Sequence, residues 1–410
     1  MGTSFRHRMS GPAAGRGTAS VGGAGAALWR TGLAIACAAA LSLAPRPGVA
    51  DEGEPETGAV DTTPVDYARF VPALIENFAR PAASDLTESL VTLEKTIAGV
   101  CAQDAGPDAA EAFDEAFAGA VAAHGRLAAL RAGALADDAR AERLAFVPDS
   151  RGVVRRQVTR LVAARDETAI DPASLREKSV ALQGLTALEW IAYDKTGEVV
   201  LGRAEEGSGE EATKAADYAC AYATALGARL EETSREVSEA FGAPSGQTAL
   251  LLAPGPDNAL VHTDKEAASF VFNALLTSLE LARDQIVGPL LDEGPVTLRA
   301  ARIPFSRSHT GFVHLAALID GFADAIVAAG YPEARSDGAW IGNTLSFEAG
   351  NAHGALEAVD PDPALALEGE KDLGKLTYVR TILDGLRPMV AGELAGHLDF
   401  KGGFNALDGD

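Results

Sequence analysis

The sequence predicts an all-α protein built from two helical bundles in series. Apolar residues recur at three- and four-residue steps along most of the chain, which is the stripe of an amphipathic helix. The composition is rich in Ala, Leu and Glu and holds only 6% aromatic residues, which favours helix. Alternating β-branched runs, which would indicate strands, are almost absent from the sequence.

The helices before residue 200 are predicted from their apolar stripes and from the residues that start them. Pro81 predicts a break in the first stripe, and Asp85 is a suitable N-cap for the helix that follows. Asp171-Pro172 predicts another start, because a cap followed by Pro at the first helical position is a favoured opening. The stripes run from Tyr67 to Phe78, Leu86 to Val100, Phe113 to Leu130, Val154 to Val162 and Leu175 to Ile191.

The helices after residue 210 follow the same pattern. A Gly- and Glu-rich stretch at 202–211 predicts an exposed joint, and the Gly- and Pro-rich residues 242–258 predict a loop or lid. The later stripes run from Tyr218 to Phe241, Phe270 to Leu290, Phe312 to Ile326 and Tyr378 to Leu394.

These signals divide the chain into five predicted parts. They are a signal peptide at 1–50, a flexible acidic lead at 51–62, a first helical bundle at 63–201, a second helical bundle at 212–400 and a C-terminal tail at 401–410. The body of about 360 residues is long enough for two domains that each bury a core.

The charge of the chain excludes two classes of partner. The 410 residues hold 35 Lys and Arg against 58 Asp and Glu, a net charge of -23. The first fifty residues contain five arginines and no acid, so the remaining chain holds 30 bases and 58 acids, a net charge of -28. Nucleic acid and anionic lipid both require a basic surface, so neither is an expected partner.

The first fifty residues have the pattern of a secretory leader. Arg30 precedes a short apolar run at 31–44, and the small residues Gly48-Val49-Ala50 are suited to cleavage by signal peptidase. The run is too short to span a bilayer comfortably, and no later segment is predicted to cross a membrane. The expected location is therefore the periplasm or cell envelope. The alternatives are a lipoprotein acylated at Cys37 and an uncleaved anchor.

Two cysteines, Cys101 and Cys220, remain after the leader. An exported compartment is oxidising, so a disulfide between them is predicted, with two buried free thiols as the alternative. They lie 119 positions apart without nearby His residues, which does not indicate a zinc site.

Common catalytic motifs are absent from the sequence. It contains no His-Glu-x-x-His, no Glu-x-x-His, no Gly-rich phosphate loop ending in Lys-Ser/Thr and no Gly-x-Ser-x-Gly. Three His and Glu pairs have the i,i+4 spacing that places two side chains on one helical face, as metal ligands or as surface polar pairs. The pairs are His262/Glu266, His353/Glu357 and Glu393/His397.

The most informative segment is 178–190, with the sequence KSVALQGLTALEW. Glu189 lies between Leu188 and Trp190, so its carboxylate is expected to be buried, and a buried carboxylate must be paired or act as a ligand. Burial would raise its pKa. The alternative is an ion pair with an Arg across the bundle. Gly184 costs about 1 kcal/mol relative to Ala inside a helix, which indicates a close helix approach or a kink.

This segment resembles the imelysin-like family of bacterial envelope proteins, also known as imelysin peptidases and iron-regulated protein A-like proteins. The family motif is Gly-x-His-x-x-Glu, and here Gly184 and Glu189 match while Thr186 takes the place of the His. Four further stretches resemble the family, so that the likeness extends over about 61–410. They are Phe146–Gly152, Ser278–Leu290, Pro304–Ser308 and Gly403–Asp410.

The resemblance implies an all-α fold of two related four-helix bundles with a functional cleft between them. It also implies export and a role in iron uptake, with envelope iron-uptake proteins as partners. The peptidase name of the family has no support in the residues of this chain, because the metal-binding His and a His-Glu-x-x-His helix are both missing.

Five residues are predicted to bind the ligand. They are Gly184, Thr186, Glu189, Arg151 and Arg307, with Glu189 as the metal ligand. A Thr hydroxyl is a weaker ligand than imidazole, so Thr186 argues against the usual form of the site. Arg151 and Arg307 would anchor an anionic ligand, haem propionates included, or form structural ion pairs. Iron or another divalent metal is the expected ligand, and haem is less favoured.

Three functional hypotheses follow. The first is an exported, non-catalytic binding protein that acts in iron acquisition. The second is a structural or interaction protein of the envelope whose ancestral site has decayed. The third is a metallopeptidase, which the missing His argues against. The acidic surface is compatible with attraction of cations, iron among them.

Overall fold

The computed structural model describes residues 63–202 and 209–400, and these form helices, turns and loops. Within this part of the chain the only extended pairing is an isolated antiparallel bridge between Tyr193 and Val199. The prediction of an all-α fold is therefore confirmed. The predicted leader, acidic lead and C-terminal tail lie outside the described residues.

Nine α-helices lie in the described residues before 260. They are α1 (Phe70–Leu74), α2 (Arg80–Val100), α3 (Ala109–Ala128), α4 (Arg140–Leu144), α5 (Val153–Ala164), α6 (Pro172–Arg176), α7 (Gly184–Ala192), α8 (Glu210–Gly242) and α9 (Gly246–Leu252). Asp171 caps α6 as predicted, because its carboxylate accepts the Ser174 N–H at 2.8 Å and Pro172 opens the helix. The predicted loop at 242–258 contains α9.

Eight α-helices follow in the described residues after 260. They are α10 (Asp264–Glu280), α11 (Gly288–Leu291), α12 (Val296–Ala300), α13 (Gly311–Ala328), α14 (Ala339–Glu357), α15 (Pro363–Glu368), α16 (Glu370–Pro388) and α17 (Ala395–His397). Two π-helical segments, Leu281–Val287 and Met389–Leu394, join α10 to α11 and α16 to α17. Each of these pairs therefore forms one long helix.

The predicted break at Pro81 is wrong. A π-helical segment, Ile75–Ala79, joins α1 to α2, and Pro81 lies in the first turn of α2. Pro81 therefore lies inside a continuous helix, directly after the π-helical segment that accommodates it. Asp85 consequently lies inside α2 and does not cap a helix.

The predicted continuous helix from Leu175 to Ile191 is also wrong. The structure divides it into α6, a 3₁₀ turn at Val180–Leu182, and α7. Gly184 opens α7 with a φ of +78°, which is strained for any residue with a side chain. A Cβ atom there would lie 2.5 Å from the carbonyl oxygens of Arg143 and Leu144. Gly184 is therefore required for close backbone contact.

Two helices form the centre of the packing. α2 packs against α3 and α8, while α13 packs against α3 and α14, so the α3–α13 contact connects the two groups of helices. The helix α8, which follows the predicted domain boundary, lies against α2. A disulfide between Cys101, at the end of α2, and Cys220, on α8, joins the same two helices. The division into bundles at 63–201 and 212–400 stays a prediction.

The expectation that no later segment is apolar enough to cross a membrane is wrong. The helical stretch Gly311–Ala334, which contains α13, is long and apolar enough by length and composition alone. However, 67% of its most apolar window is buried inside the protein. Its apolar character is that of a core helix, because α13 contacts neighbours on several sides.

Candidate functional site

Glu189 is almost completely buried on α7, and one of its carboxylate oxygens is saturated with hydrogen bonds. Its side chain belongs to a residue that is only 7% exposed. Oε1 accepts the backbone N–H of Arg307 at 2.9 Å, the N–H of Ser308 at 3.0 Å and the Ser308 hydroxyl at 3.0 Å. The predicted requirement for partners is therefore met by one short segment of backbone.

The second oxygen of this carboxylate is open. Oε2 of Glu189 has no hydrogen-bond partner among the described residues, and it is not one of the fully buried unpaired atoms. Desolvation raises the pKa of Glu189, and the hydrogen bonds from Ser308 and Arg307 oppose that rise without cancelling it. The carboxyl group therefore presents one held oxygen and one free oxygen.

The donors come from the segment Ile303–Thr310, which we call the Glu189-binding loop. Phe305 and His309 have φ values of +58° and +57°, so the loop reverses direction sharply on both sides of the two donating N–H groups. The Ser308 hydroxyl lies 2.8 Å from the Thr310 hydroxyl and 3.2 Å from the Phe305 carbonyl oxygen. These contacts fix the loop around the carboxylate.

Arg307 approaches Glu189 through its backbone and uses its side chain elsewhere. The guanidinium donates to the Tyr193 carbonyl oxygen, from Nε at 3.1 Å and also from Nη2. Its Cζ lies 4.2 Å from the centre of the Trp190 ring, a cation–π contact. The alternative that the sequence offered was an ion pair between Glu189 and an Arg side chain, but the structure has a hydrogen bond from the Arg307 backbone N–H. The nearby guanidinium still lowers the pKa of the Glu189 carboxyl.

Thr186 lies one helical turn before Glu189 on α7. It is buried, and its Oγ1 accepts the backbone N–H of Phe146 at 3.2 Å. The hydroxyl therefore helps to hold the segment that follows α4. Gly184, at the start of α7, contacts the backbone of the same region, as described above.

Arg151 does not join this group. It is exposed in the turn before α5, and its side chain makes no hydrogen bond or ion pair with Glu189 or Arg307. The structure thus brings together Gly184, Thr186 and Glu189 on one helix, with Arg307 beside them.

The three predicted His and Glu pairs are surface contacts or are not formed. His262 Nδ1 lies 3.3 Å from Glu266 Oε2 on the surface. His353 pairs with Asp320 at 2.6 Å, and His397 faces Asp337. Within residues 63–202 and 209–400, no group of three or more His, Cys, Asp or Glu side chains is placed to hold a metal ion.

The sequence analysis missed a pair of buried histidines. His124 on α3 and His314 on α13 are 5% and 1% exposed, and their rings stack with centres 5.4 Å apart. They line a cavity of about 30 Å³ together with Arg131, Glu142, Leu144 and Leu318. Burial lowers the pKa of His124 to about 4 and holds that of His314 well below its usual value, so both are neutral at pH 7.

A signal for this pair exists in the sequence. His124 lies three residues from both Val121 and Leu127, and His314 lies four residues before Leu318, so each imidazole occupies a core position of an apolar stripe. The two stripes are 190 residues apart, and no spacing rule connects them. The pair also neighbours the Glu189-binding loop, since the Phe305 ring centre lies 5.1 Å from that of His314 and 6.4 Å from that of His124.

The fold and the site define an all-helical protein with a buried carboxylate on a Gly-x-Thr-x-x-Glu helix. The family model described as Imelysin matches residues 79–347, about two-thirds of the chain. The chain therefore belongs to the imelysin family.

Two solved structures share the fold. An imelysin-like protein from Psychrobacter arcticum 273-4 is 18% identical, with a TM-score of 0.60 over 82% of this chain and 97% of that one. A protein named as an iron-regulated protein A precursor, from Parabacteroides distasonis ATCC 8503, is 11% identical, with a TM-score of 0.65 over 83% and 98%. No curated protein matches the chain.

Proposed function

We propose that this protein is an exported, non-catalytic binding protein that acts in iron acquisition, and that its ligand contacts Glu189. The free Oε2 of Glu189 carries this proposal. Oε2 has no partner among the described residues and is not fully buried, so a ligand can reach it, whereas Oε1 is already held by three donors. The carboxylate is thus oriented before any ligand arrives.

The chemistry of the surroundings favours a cationic or hydrogen-bond-donating ligand. Iron or another divalent metal is the preferred ligand, because a hard cation binds carboxylate oxygen and would offset the desolvation that raises the pKa of Glu189. Haem is the less favoured ligand, because the Arg307 guanidinium that would anchor a propionate already donates to the Tyr193 carbonyl oxygen. Arg151 is exposed in the turn before α5 and apart from Glu189, so only an extended ligand would contact both residues.

The comparisons support the biological setting. The chain belongs to the imelysin family, and one structural relative is named as an iron-regulated protein A precursor. The leader pattern at 1–50 favours export to the periplasm or cell envelope, where envelope iron-uptake proteins are the expected partners. The absence of His-Glu-x-x-His from the sequence argues against a peptidase.

A specific observation favours a second candidate function. Thr186 and Oε1 of Glu189 both hold neighbouring backbone, to Phe146 and to the Glu189-binding loop. A family motif whose residues act only in this way is typical of a structural or interaction protein with a decayed site.

Titration of the metal-free chain with Fe²⁺, Zn²⁺ and haemin separates the candidates. The substitution Glu189→Gln keeps an acceptor for the loop and removes the charge. Glu357→Gln, at an exposed carboxylate on α14, is the matched control. Binding that is lost in Glu189→Gln and kept in the control supports the proposal.

Other outcomes reject it. Binding that is unchanged in Glu189→Gln places the ligand elsewhere, and absence of binding for all three probes favours the structural protein. Peptide cleavage that a chelator abolishes would show a metallopeptidase.

A further inference from the structure

One helix of this acidic chain carries a concentration of positive charge. Residues 151–165 contain five arginines and no Asp or Glu, although the whole chain has a net charge of -23. Four of the five lie exposed along α5 and the turn before it, and we call them the arginine face: Arg151, Arg155, Arg156 and Arg160. A local excess of positive charge attracts anions even on an acidic protein, because salt screens charges that lie beyond about 8 Å.

The arginine face has no acidic partner in the part of the chain that the structure describes. None of its four guanidinium groups forms an ion pair there, whereas Arg165, directly after α5, is paired with Glu211. The acid that precedes the face, Asp149, uses its two carboxylate oxygens to accept the N–H groups of Val153 at 2.7 Å and Val154 at 2.9 Å. The positive charge of the arginine face is therefore not neutralised by these residues.

Two side chains of the arginine face converge on one point. A Cβ on Gly152 would lie 3.7 Å from Nε of Arg155 and 3.9 Å from Nη1 of Arg156, so both guanidinium groups border the same space. Nη1 of Arg156 also donates to the Arg151 carbonyl oxygen, which holds this side chain against the turn. Two cations that border one space repel each other unless an anion lies between them. The convergence therefore indicates a site for a compact anion.

The packing of α5 fixes the direction of the arginine face. Val154, Val158 and Leu161 are buried on the opposite side of the helix, and α5 contacts α7. On the exposed side, Thr159 Oγ1 accepts the Nε1–H of Trp190 at 3.2 Å. These contacts prevent α5 from turning its arginines towards other partners, so the anion site is formed before a ligand arrives.

We propose that the arginine face binds a small soluble molecule that carries more than one phosphate group. A phosphate group brings nearly two negative charges and three strong acceptor oxygens, which match two converging guanidinium groups better than a singly charged carboxylate does. Arg160 lies one helical turn beyond Arg156 on the same side of α5, where it would hold a second phosphate. The site does not include Glu189, so it stands or falls separately from the proposed function.

The surroundings of the arginine face favour a small ligand over nucleic acid or a membrane. Either of these would extend beyond one helix, onto a protein whose net charge repels phosphate. The exposed residues of α5 are arginines, Thr159 and two alanines, so no large apolar side chain is available to enter a bilayer.

The test is a calorimetric titration of the full chain with tripolyphosphate at low salt. The double variant Arg155→Gln/Arg156→Gln removes the two converging guanidinium groups. The matched control, Arg235→Gln/Arg302→Gln, removes the same charge from exposed arginines that already have acidic partners. We expect saturable binding by the wild type, weakened about tenfold or more in the first double variant and changed little in the control. Both double variants alter only exposed side chains and should unfold at the wild-type temperature.

Several results would overturn the site. They are the absence of saturable binding, binding that Arg155→Gln/Arg156→Gln keeps, and equal weakening in both double variants, which would be an effect of net charge alone. Citrate, titrated in parallel, should bind more weakly, and citrate binding as tight as that of tripolyphosphate would assign a carboxylate ligand instead. Adsorption to vesicles of anionic phospholipid that the first double variant abolishes would assign a membrane surface instead.

Discussion

Glu189 and the His124–His314 pair are two buried polar groups of one core, and they are satisfied in opposite ways. Oε1 of Glu189 receives three hydrogen bonds from the Glu189-binding loop. The histidines retain three nitrogens without any partner. The hydrogen bonds to Glu189 stabilise the contact between α7 and the Glu189-binding loop. The unpaired nitrogens of the two histidines lower the stability of the folded chain. Hydrogen bonds from the loop oppose the desolvation of Glu189, whereas no described residue gives the three unpaired imidazole nitrogens a hydrogen bond.

The largest expected effect concerns the backbone that supports Glu189. Gly184→Ala places a Cβ 2.5 Å from two carbonyl oxygens at a φ of +78°. Strain and overpacking together should lower the free energy of unfolding by about 3–4 kcal/mol. Chemical denaturation measures this. Gly354→Ala on α14, where a Cβ meets nothing within 4 Å, is the control and should change stability little. Equal stability of the two variants would contradict the account.

Acidification should destabilise the histidine region. Burial lowers the pKa of His124 from 6.5 to about 4, so the unfolded chain binds more protons between these values. Stability is therefore full above pH 6.5 and is lost as the pH falls towards 4, by about 3 kcal/mol for His124 alone. Denaturation at several pH values checks this. Between pH 6.5 and 4 the free energy of unfolding should change less with pH in His124→Gln than in the wild type. The control variant His262→Gln should keep the wild-type pH dependence.

Glu189 should contribute a pH dependence of the opposite sign. Its pKa is raised, so the folded chain binds more protons above pH 4.5, and the contribution of Glu189 to stability falls as the pH rises through its folded pKa.

Glu189→Leu leaves the N–H groups of the Glu189-binding loop without an acceptor and should lower the free energy of unfolding by about 2–3 kcal/mol. Unfolding curves at pH 7 measure the loss. A cost below that of Glu357→Leu would show that the hydrogen bonds contribute nothing.

The smallest expected effect concerns His314, and it tests most directly the contrast between Glu189 and the histidine pair. His314→Leu removes two unpaired ring nitrogens from the core and also removes ring contacts, and these opposing effects should change the free energy of unfolding by no more than about 1 kcal/mol. Thermal unfolding of metal-free protein checks this. A large loss in the metal-free variant would show a structural role for the histidine.

Part of this structure was predictable from the sequence. Helical stripes indicate the fold class because burial follows the 3.6-residue period, and the position of Glu189 between Leu188 and Trp190 indicates its burial. The path of the chain at Gly184 was not predictable, because its positive φ depends on carbonyl groups of Arg143 and Leu144 that lie 40 residues away. Pro81 was misread because a π-helical segment accommodates it.

The partners of the site were the hardest part to predict. Arg307 was predicted to anchor a ligand through its guanidinium, yet it serves Glu189 through its backbone N–H while the side chain lies over Trp190. Backbone donors have no sequence signature. The pairing of His124 with His314 likewise depends on the crossing of α3 and α13, which only the folded chain defines.

The most direct test of the central claim, that this chain is an iron-related binding protein, is an anaerobic Fe²⁺ titration of the metal-free full chain. The account predicts saturable uptake of at least one ion per chain, reduced by Glu189→Gln at the proposed ligand site and unaffected by Glu357→Gln. A wild-type chain that takes up no Fe²⁺ at saturating concentration would contradict it.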